Sequence, residues 1–200
     1  MFDAAWMIQT TGDIPLHKLA IDSENIQHGI RYGPTPRGTF SKMMQHLDVM
    51  NLAYESFTFL DLGSGKGRAL FLASERPFRR VIGVEFAKEL VVATQKNIRR
   101  YQNPNQRCFQ FEVVCEDVTH YALPVENLVI FIYNAFDALI VNTVLDRIEY
   151  SLQEHPRHII ILYLNAVHDA VLEQRTMFEK IVAKEAFSIY GHFSGEGWKQ

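Results

Sequence analysis

Cysteine is scarce in this chain: two in 200 residues, Cys108 and Cys115. That is too few for a disulfide framework or a thiolate zinc site. Both are expected to be reduced, with Cys115 as a buried strand residue. Histidine gives no metal site either, because His120, His155, His158 and His168 lack ligand spacing. No metal is therefore expected. No run approaches ~20 apolar residues, so no membrane span is expected. The start, Met1-Phe2-Asp3-Ala4-Ala5-Trp6, has neither a positive region nor a long apolar stretch. That argues against a signal peptide and for a cytoplasmic location. Basic charge is also lacking. The net charge of −3 gives the whole chain no electrostatic footprint for nucleic acid. Lys96, Arg79, Arg80, Arg99 and Arg100 read as a solvated helix face. There is no internal repeat and no low-complexity linker.

What is present is an apolar fraction of 48% in a length that fits one globular domain. From about Ser56 strands and helices alternate, the signature of a parallel sheet with helices on both faces. The strands read as 56–60, 80–84, 109–115, 128–132 and 158–164. Helices are expected at 68–73, 87–100, after Asp137, and at 168–175. Two further strand-like pieces, 179–183 and 186–193, close the sheet as a hairpin. The expected fold is thus α/β and doubly wound: a mostly parallel seven-stranded sheet with an antiparallel last strand. Residues 51–200 form that domain. Residues 1–50 are a lead-in, irregular and rich in Pro and Gly over 31–38, ending in a helix with Phe40, Met43, Met44, Leu47 and Met50 on one face. Such a segment before the first strand is either a cofactor lid or a surface lead-in.

The most informative motif is Asp61-Leu62-Gly63-Ser64-Gly65-Lys66-Gly67, between the first strand and its helix. A Gly-rich turn here lets a ligand approach bare backbone at the positive end of a helix. The dinucleotide fingerprint G-x-G-x-x-G/A fails, because its third small residue would be Arg68. A P-loop fails at Leu60 and Gly67. The remaining pattern, D-x-G-x-G-x-G, points to S-adenosylmethionine and a methyltransferase, against a plain structural turn. Glu85 ends the second strand, and an acid at about this offset can serve both ribose hydroxyls. Asp117, after the third strand, is placed to accept the adenine amino group, with the Val118 backbone beside the ring. Its alternative is a turn or helix cap. The fourth strand is apolar throughout, as in a sheet buried on both faces. It runs into Tyr133, Asn134 and Asp137. Asn134 is the candidate for chemistry and Asp137 for a helix N-cap.

These residues together resemble the class I, Rossmann-like S-adenosylmethionine-dependent methyltransferases. Within them the chain resembles the disruptor-of-telomeric-silencing type of lysine methyltransferases and their small bacterial relatives. Three matches carry the likeness: Tyr32-Gly33-Pro34-Thr35 to Y-G-x-T, Asp61-Leu62-Gly63-Ser64-Gly65 to D-L-G-S-G, and Val129-to-Asn134 to V-I-F-V-N-N. After Asn134 the family reads Phe-Ala-Phe where this chain has Ala135-Phe136-Asp137. The resemblance implies that Tyr32 and Thr35 sit at the methionine end of the cofactor and Asn134 beside the methyl donor. Gly63, Gly65 and Gly67 would bring backbone to the cofactor, and Asp61 would hold the loop or meet the donor's ammonium through water. Asn134 would aim an amine nucleophile, with Tyr133 and Asp137 as possible proton acceptors. The implied acceptor is a protein lysine or a small molecule. The competing reading is a Rossmann-like module that binds cofactor or a partner without catalysis.

Overall fold

The computed structural model describes residues 2–195 except positions 22 and 30. Helix α1 is a single turn, Phe2–Ala5, and two short 3-10 turns follow at Leu16–Lys18 and Glu24–His28. Helix α2 (Arg37–Val49) leads to strand β1 (Phe57–Leu62), then α3 (Arg68–Ala73), β2 (Arg80–Glu85), α4 (Lys88–Arg100) and β3 (Phe111–Cys115). After β4 (Asn127–Tyr133) come α5 (Ala138–Glu154), β5 (Ile159–Leu164), α6 (Asp169–Glu173), β6 (Glu179–Lys184) and β7 (Phe187–His192).

The seven strands lie in the order β3-β2-β1-β4-β5-β7-β6. The first five are mutually parallel, and β7 runs antiparallel to both β5 and β6. The expected doubly wound sheet with an antiparallel final strand is therefore the fold observed. Alternation along each strand divides the core. Phe59, Phe131 and Leu162 face α2 and α3, packing on Phe40, Met43 and Met44. Leu60, Ile130 and Ile161 face α5, packing on Val141, Val144 and Ile148. Every residue of β1 and β5 is buried, which is why these strands read as continuous apolar runs.

Several element ends differ from the sequence expectation. Strand β1 extends through Asp61 and Leu62, so the acid of the Gly-rich turn is a strand residue paired in register with Gly83. Strand β3 begins at Phe111 rather than 109, and α6 is shorter than 168–175. Cys115 is exposed, not buried, because β3 is an edge strand with one face only half covered. Arg80 is not on a helix face: it lies in β2 and pairs with Glu126 at 2.7 Å and Glu112 at 2.9 Å. No helix among the described residues is long and apolar enough to cross a membrane.

The order reverses between β1 and β4, with β2 and β3 on one side and β5 on the other. Open α/β sheets collect ligands outside the carboxyl ends of strands at such a point. The N-terminal segment crosses this same edge. Ile14 bridges to Tyr32, Ile21 to Ala87 after β2, and Gly29 to Phe136 after β4.

Candidate active site

A cleft of about 830 Å³, measured out to its open mouth, lies at the carboxyl edge of β1, β2, β3 and β4. Its walls include Asp61, Gly63 and Ser64 after β1, Glu85 and Phe86 after β2, and Asp117 and Val118 after β3. Phe131, Tyr133, Ala135 and Phe136 close it on the β4 side, while Asn25, Tyr32 and Thr35 come from the N-terminal segment. The structure thus brings together Tyr32, Thr35, Asp61, Gly63, Glu85, Asp117, Val118 and Tyr133.

Asp61 is 3% exposed and makes no side-chain hydrogen bond among the described residues. Burial, and next the charge of Glu85, hold its carboxyl well above the ordinary range. A buried acid without a partner is costly unless a donor or a cation meets it. Glu85, 4% exposed, accepts from Gly65 N at 2.8 Å and from Ala87 N at 2.9 Å. Burial pushes it up, and the backbone donors Ala87, Gly65 and Phe86 oppose the shift. Each of its oxygens makes one of these bonds, and a carboxylate offers about four acceptor positions. With the Phe86 backbone N–H also drawn to this carboxylate, at least one position remains for a ribose hydroxyl.

The glycines divide by role. A Cβ at Gly63 would meet Ala135 Cβ at 2.8 Å, so the turn passes close under the loop after β4. Gly65 has φ +55°, and the Tyr32 ring lies where its Cβ would be. Glycine adopts this left-handed backbone without strain, and only its missing Cβ admits that ring. Gly67 faces Thr94 and Phe71 and does not line the cleft. Gly65 does not line it either; it acts through Tyr32 and Glu85. Tyr32 donates its hydroxyl to Thr10 O at 2.5 Å, and burial raises its pKa.

Asn134 is held at φ +38°, and its Oδ1 is buried without a partner. Its neighbours Tyr133 and Ala135 line the cleft; Asn134 itself sits behind that wall. Asp137 is the N-cap of α5, accepting from Leu139 N and Ile140 N, and also meets His28 Nδ1 at 2.6 Å. Asp117 accepts from Thr119 N and Oγ1 through one oxygen, and from Ser23 Oγ and Asn25 Nδ2 through the other. Those donors hold it below the usual carboxylate range, against burial.

The sequence reading missed Asn25, Arg31, Ser64 and Arg68 as wall residues. Arg68 entered only as the residue that breaks a dinucleotide fingerprint. Here it lies in the cleft wall and pairs with Asp3 at 3.1 Å. Ser64 Oγ, buried and unpartnered, rests against Gly83. Nothing in the sequence marked Asn25, which sits in a five-residue 3-10 turn.

Residues 60–158 match the methyltransferase domain family. No curated protein matches the chain in sequence. Among solved structures, an RNA methyltransferase from Salinibacter ruber in complex with S-adenosyl-L-homocysteine superposes with a TM-score of 0.52 at 18% identity, over 82% of this chain and 95% of that one. The ribosomal protein L11 methylase from Lactobacillus delbrueckii subsp. bulgaricus gives 0.53 at 12% identity, over 78% and 79%. The magnesium protoporphyrin IX methyltransferase from Synechocystis with bound S-adenosylmethionine gives 0.51 at 13%, over 78% and 77%. At these identities the likeness is one of fold. The family match over residues 60–158, joined to a Gly turn at the switch point of this sheet, marks a methyltransferase domain. The cleft fits S-adenosylmethionine: Asp61 is a buried carboxyl without a hydrogen-bond partner, which a cationic ligand would draw into its charged form, and Glu85 keeps acceptor capacity for a ribose.

Proposed function

We propose that the methyl acceptor is an amine, of the class of a protein lysine, as in the lysine methyltransferases that the Tyr32-to-Thr35 and Asn134 motifs resemble. One observation carries this reading: the charge of the cleft. Its charged wall residues are four acids, Asp61, Glu85, Glu116 and Asp117, and two arginines. Both arginines are paired with acids of the N-terminal segment, Arg68 with Asp3 and Arg31 with Asp13. Even with burial holding Asp61 toward its neutral form, the wall's acids face no unpaired arginine, and such a low-dielectric wall attracts a cationic amine and repels a phosphate backbone.

Bound S-adenosylmethionine supplies an electrophilic methyl group on a sulfonium. The chain's task is to hold the nucleophile in line, which is catalysis by proximity and orientation. In this reading Glu85 holds the ribose and Asp61 faces the positive methionine end. Tyr32 and Thr35, from residues 1–50, cover that end as a lid. Asn134, behind the wall, acts through its neighbours: at φ +38° it sets the turn that presents Tyr133 and Ala135 to the amine. Tyr133 lines the path on which the amine loses its proton. Asp137 is engaged by the helix cap and His28, so it is not the base.

The test uses methyl-tritiated donor with cell lysate as the acceptor source. Label that protease releases and nuclease leaves, and that hydrolysis yields as methylated lysine, supports the proposal. Label confined to RNA, or to small molecules that pass a size filter, overturns it.

A further inference from the structure

We propose that Asn25 is the residue that reads the adenine of the cofactor, and that Asp117 acts through it as a positioning residue. The inference rests on the cofactor being S-adenosylmethionine and goes beyond it in naming a reader outside the sheet.

A carboxylate has about four acceptor positions, and all four of Asp117 are engaged. Thr119 supplies its backbone N at 2.8 Å and its hydroxyl at 2.7 Å to Oδ1. Ser23 supplies its hydroxyl at 2.5 Å and Asn25 its amide nitrogen at 3.0 Å to Oδ2. No position remains for the exocyclic amino group of adenine. The network also orients the amide of Asn25. The Thr119 hydroxyl gives its proton to Asp117, so its oxygen accepts from Asn25 Nδ2, at 3.2 Å. Both amide protons of Asn25 are thereby spent on two acceptors. Ser23 Oγ in turn accepts from Asn25 N at 3.0 Å, which fixes the turn that carries the side chain. The amide cannot flip without placing its carbonyl oxygen against the carboxylate.

What is left over is Asn25 Oδ1. It makes no hydrogen bond among the described residues, and Asn25 is part of the cleft wall beside Val118. An oriented acceptor at the edge of a nucleoside cleft is matched by a donor, and the adenine amino group is the donor that the cofactor's base carries. A site built around such a bond discriminates strongly against an analogue lacking the donor, because the acceptor is then left unpaired.

The experiment is calorimetric binding of S-adenosylhomocysteine and S-inosylhomocysteine, in which an oxygen replaces the amino group. It is run on the wild type, Asn25→Ala and Thr119→Val, with a thermal melt to confirm folding. The wild type is expected to prefer the adenosyl compound by ~10- to 100-fold, the range of one hydrogen bond with its desolvation penalty. In Asn25→Ala the ratio should fall to within ~3-fold, chiefly by weaker adenosyl binding. In Thr119→Val, which removes one anchor of the amide, it should lie between. An unchanged ratio in both variants overturns the assignment while leaving the cofactor in place. A wild type that binds neither compound overturns the assignment together with the cofactor.

Discussion

Glu85 shows how much one side chain carries here. It closes the Gly turn by accepting from Gly65 N, and it ties down the start of α4 through Ala87 N. Glu85→Ala should weaken S-adenosylhomocysteine binding by ~2–3 kcal/mol, the loss of bonds to a charged group. A strand-end acid in solvent would leave the fold untouched. This one is buried, so the variant should also unfold ~1–3 kcal/mol more easily for the backbone donors it orphans. Calorimetry and urea unfolding together check both halves; unchanged affinity would reject the ribose role. Asp61 gives a pH prediction. Its folded pKa lies above the unfolded one, so the folded state binds more protons between the two values. Stability should therefore fall as pH rises through that window and level off above the folded value. Asp61→Asn should lose most of that slope in thermal melts of the cofactor-free protein. The same variant should weaken S-adenosylmethionine by ~10- to 100-fold, because the charge that costs stability serves the ligand. A variant that keeps the slope would place the titration elsewhere.

At the scale of elements, the packing of α3 on the sheet depends on Gly83. A Cβ there would meet Ser64 Oγ at 2.7 Å and Leu70 Cδ1 at 2.9 Å. Gly83→Ala should cost ~1–3 kcal/mol by overpacking, read as a lower urea midpoint with unchanged slope. An unchanged midpoint would mean that the turn yields at no cost. Much of this level was legible in the sequence. The sequence alone places α3 at 68–73 and the strands within a few residues, because buried parallel strands are apolar without alternation. Asp137 was read as a cap and is one. The N-terminal segment was not legible. Its ties are single polar contacts to distant positions: Asp3 to Arg68, Asn25 to Asp117 and His28 to Asp137, separated by 65, 92 and 109 residues. No periodicity encodes such contacts. If the segment is a lid, hydrogen exchange across residues 31–39 should slow when S-adenosylhomocysteine is added. Equal exchange in both states would make it a fixed wall.

At the scale of the molecule, the sheet brings four strand ends to one edge, and the N-terminal segment crosses that edge at Ala87 and Phe136. The site is therefore assembled from residues 25 to 140, and a short motif could report only part of it. Gly63 and Glu85 were legible because their positions follow from the strand–turn–helix repeat. Asn25 and Arg68 were not, because their roles depend on where a non-repetitive segment folds back. Asn134 was legible as the residue after β4, yet its buried, unpartnered oxygen is visible only in three dimensions. The most direct measurement of the account is titration of the purified protein with S-adenosylhomocysteine and with NAD in a calorimeter. The account predicts saturable one-to-one binding of the sulfur nucleoside and no measurable heat with NAD. Tight NAD binding without response to S-adenosylhomocysteine would contradict it.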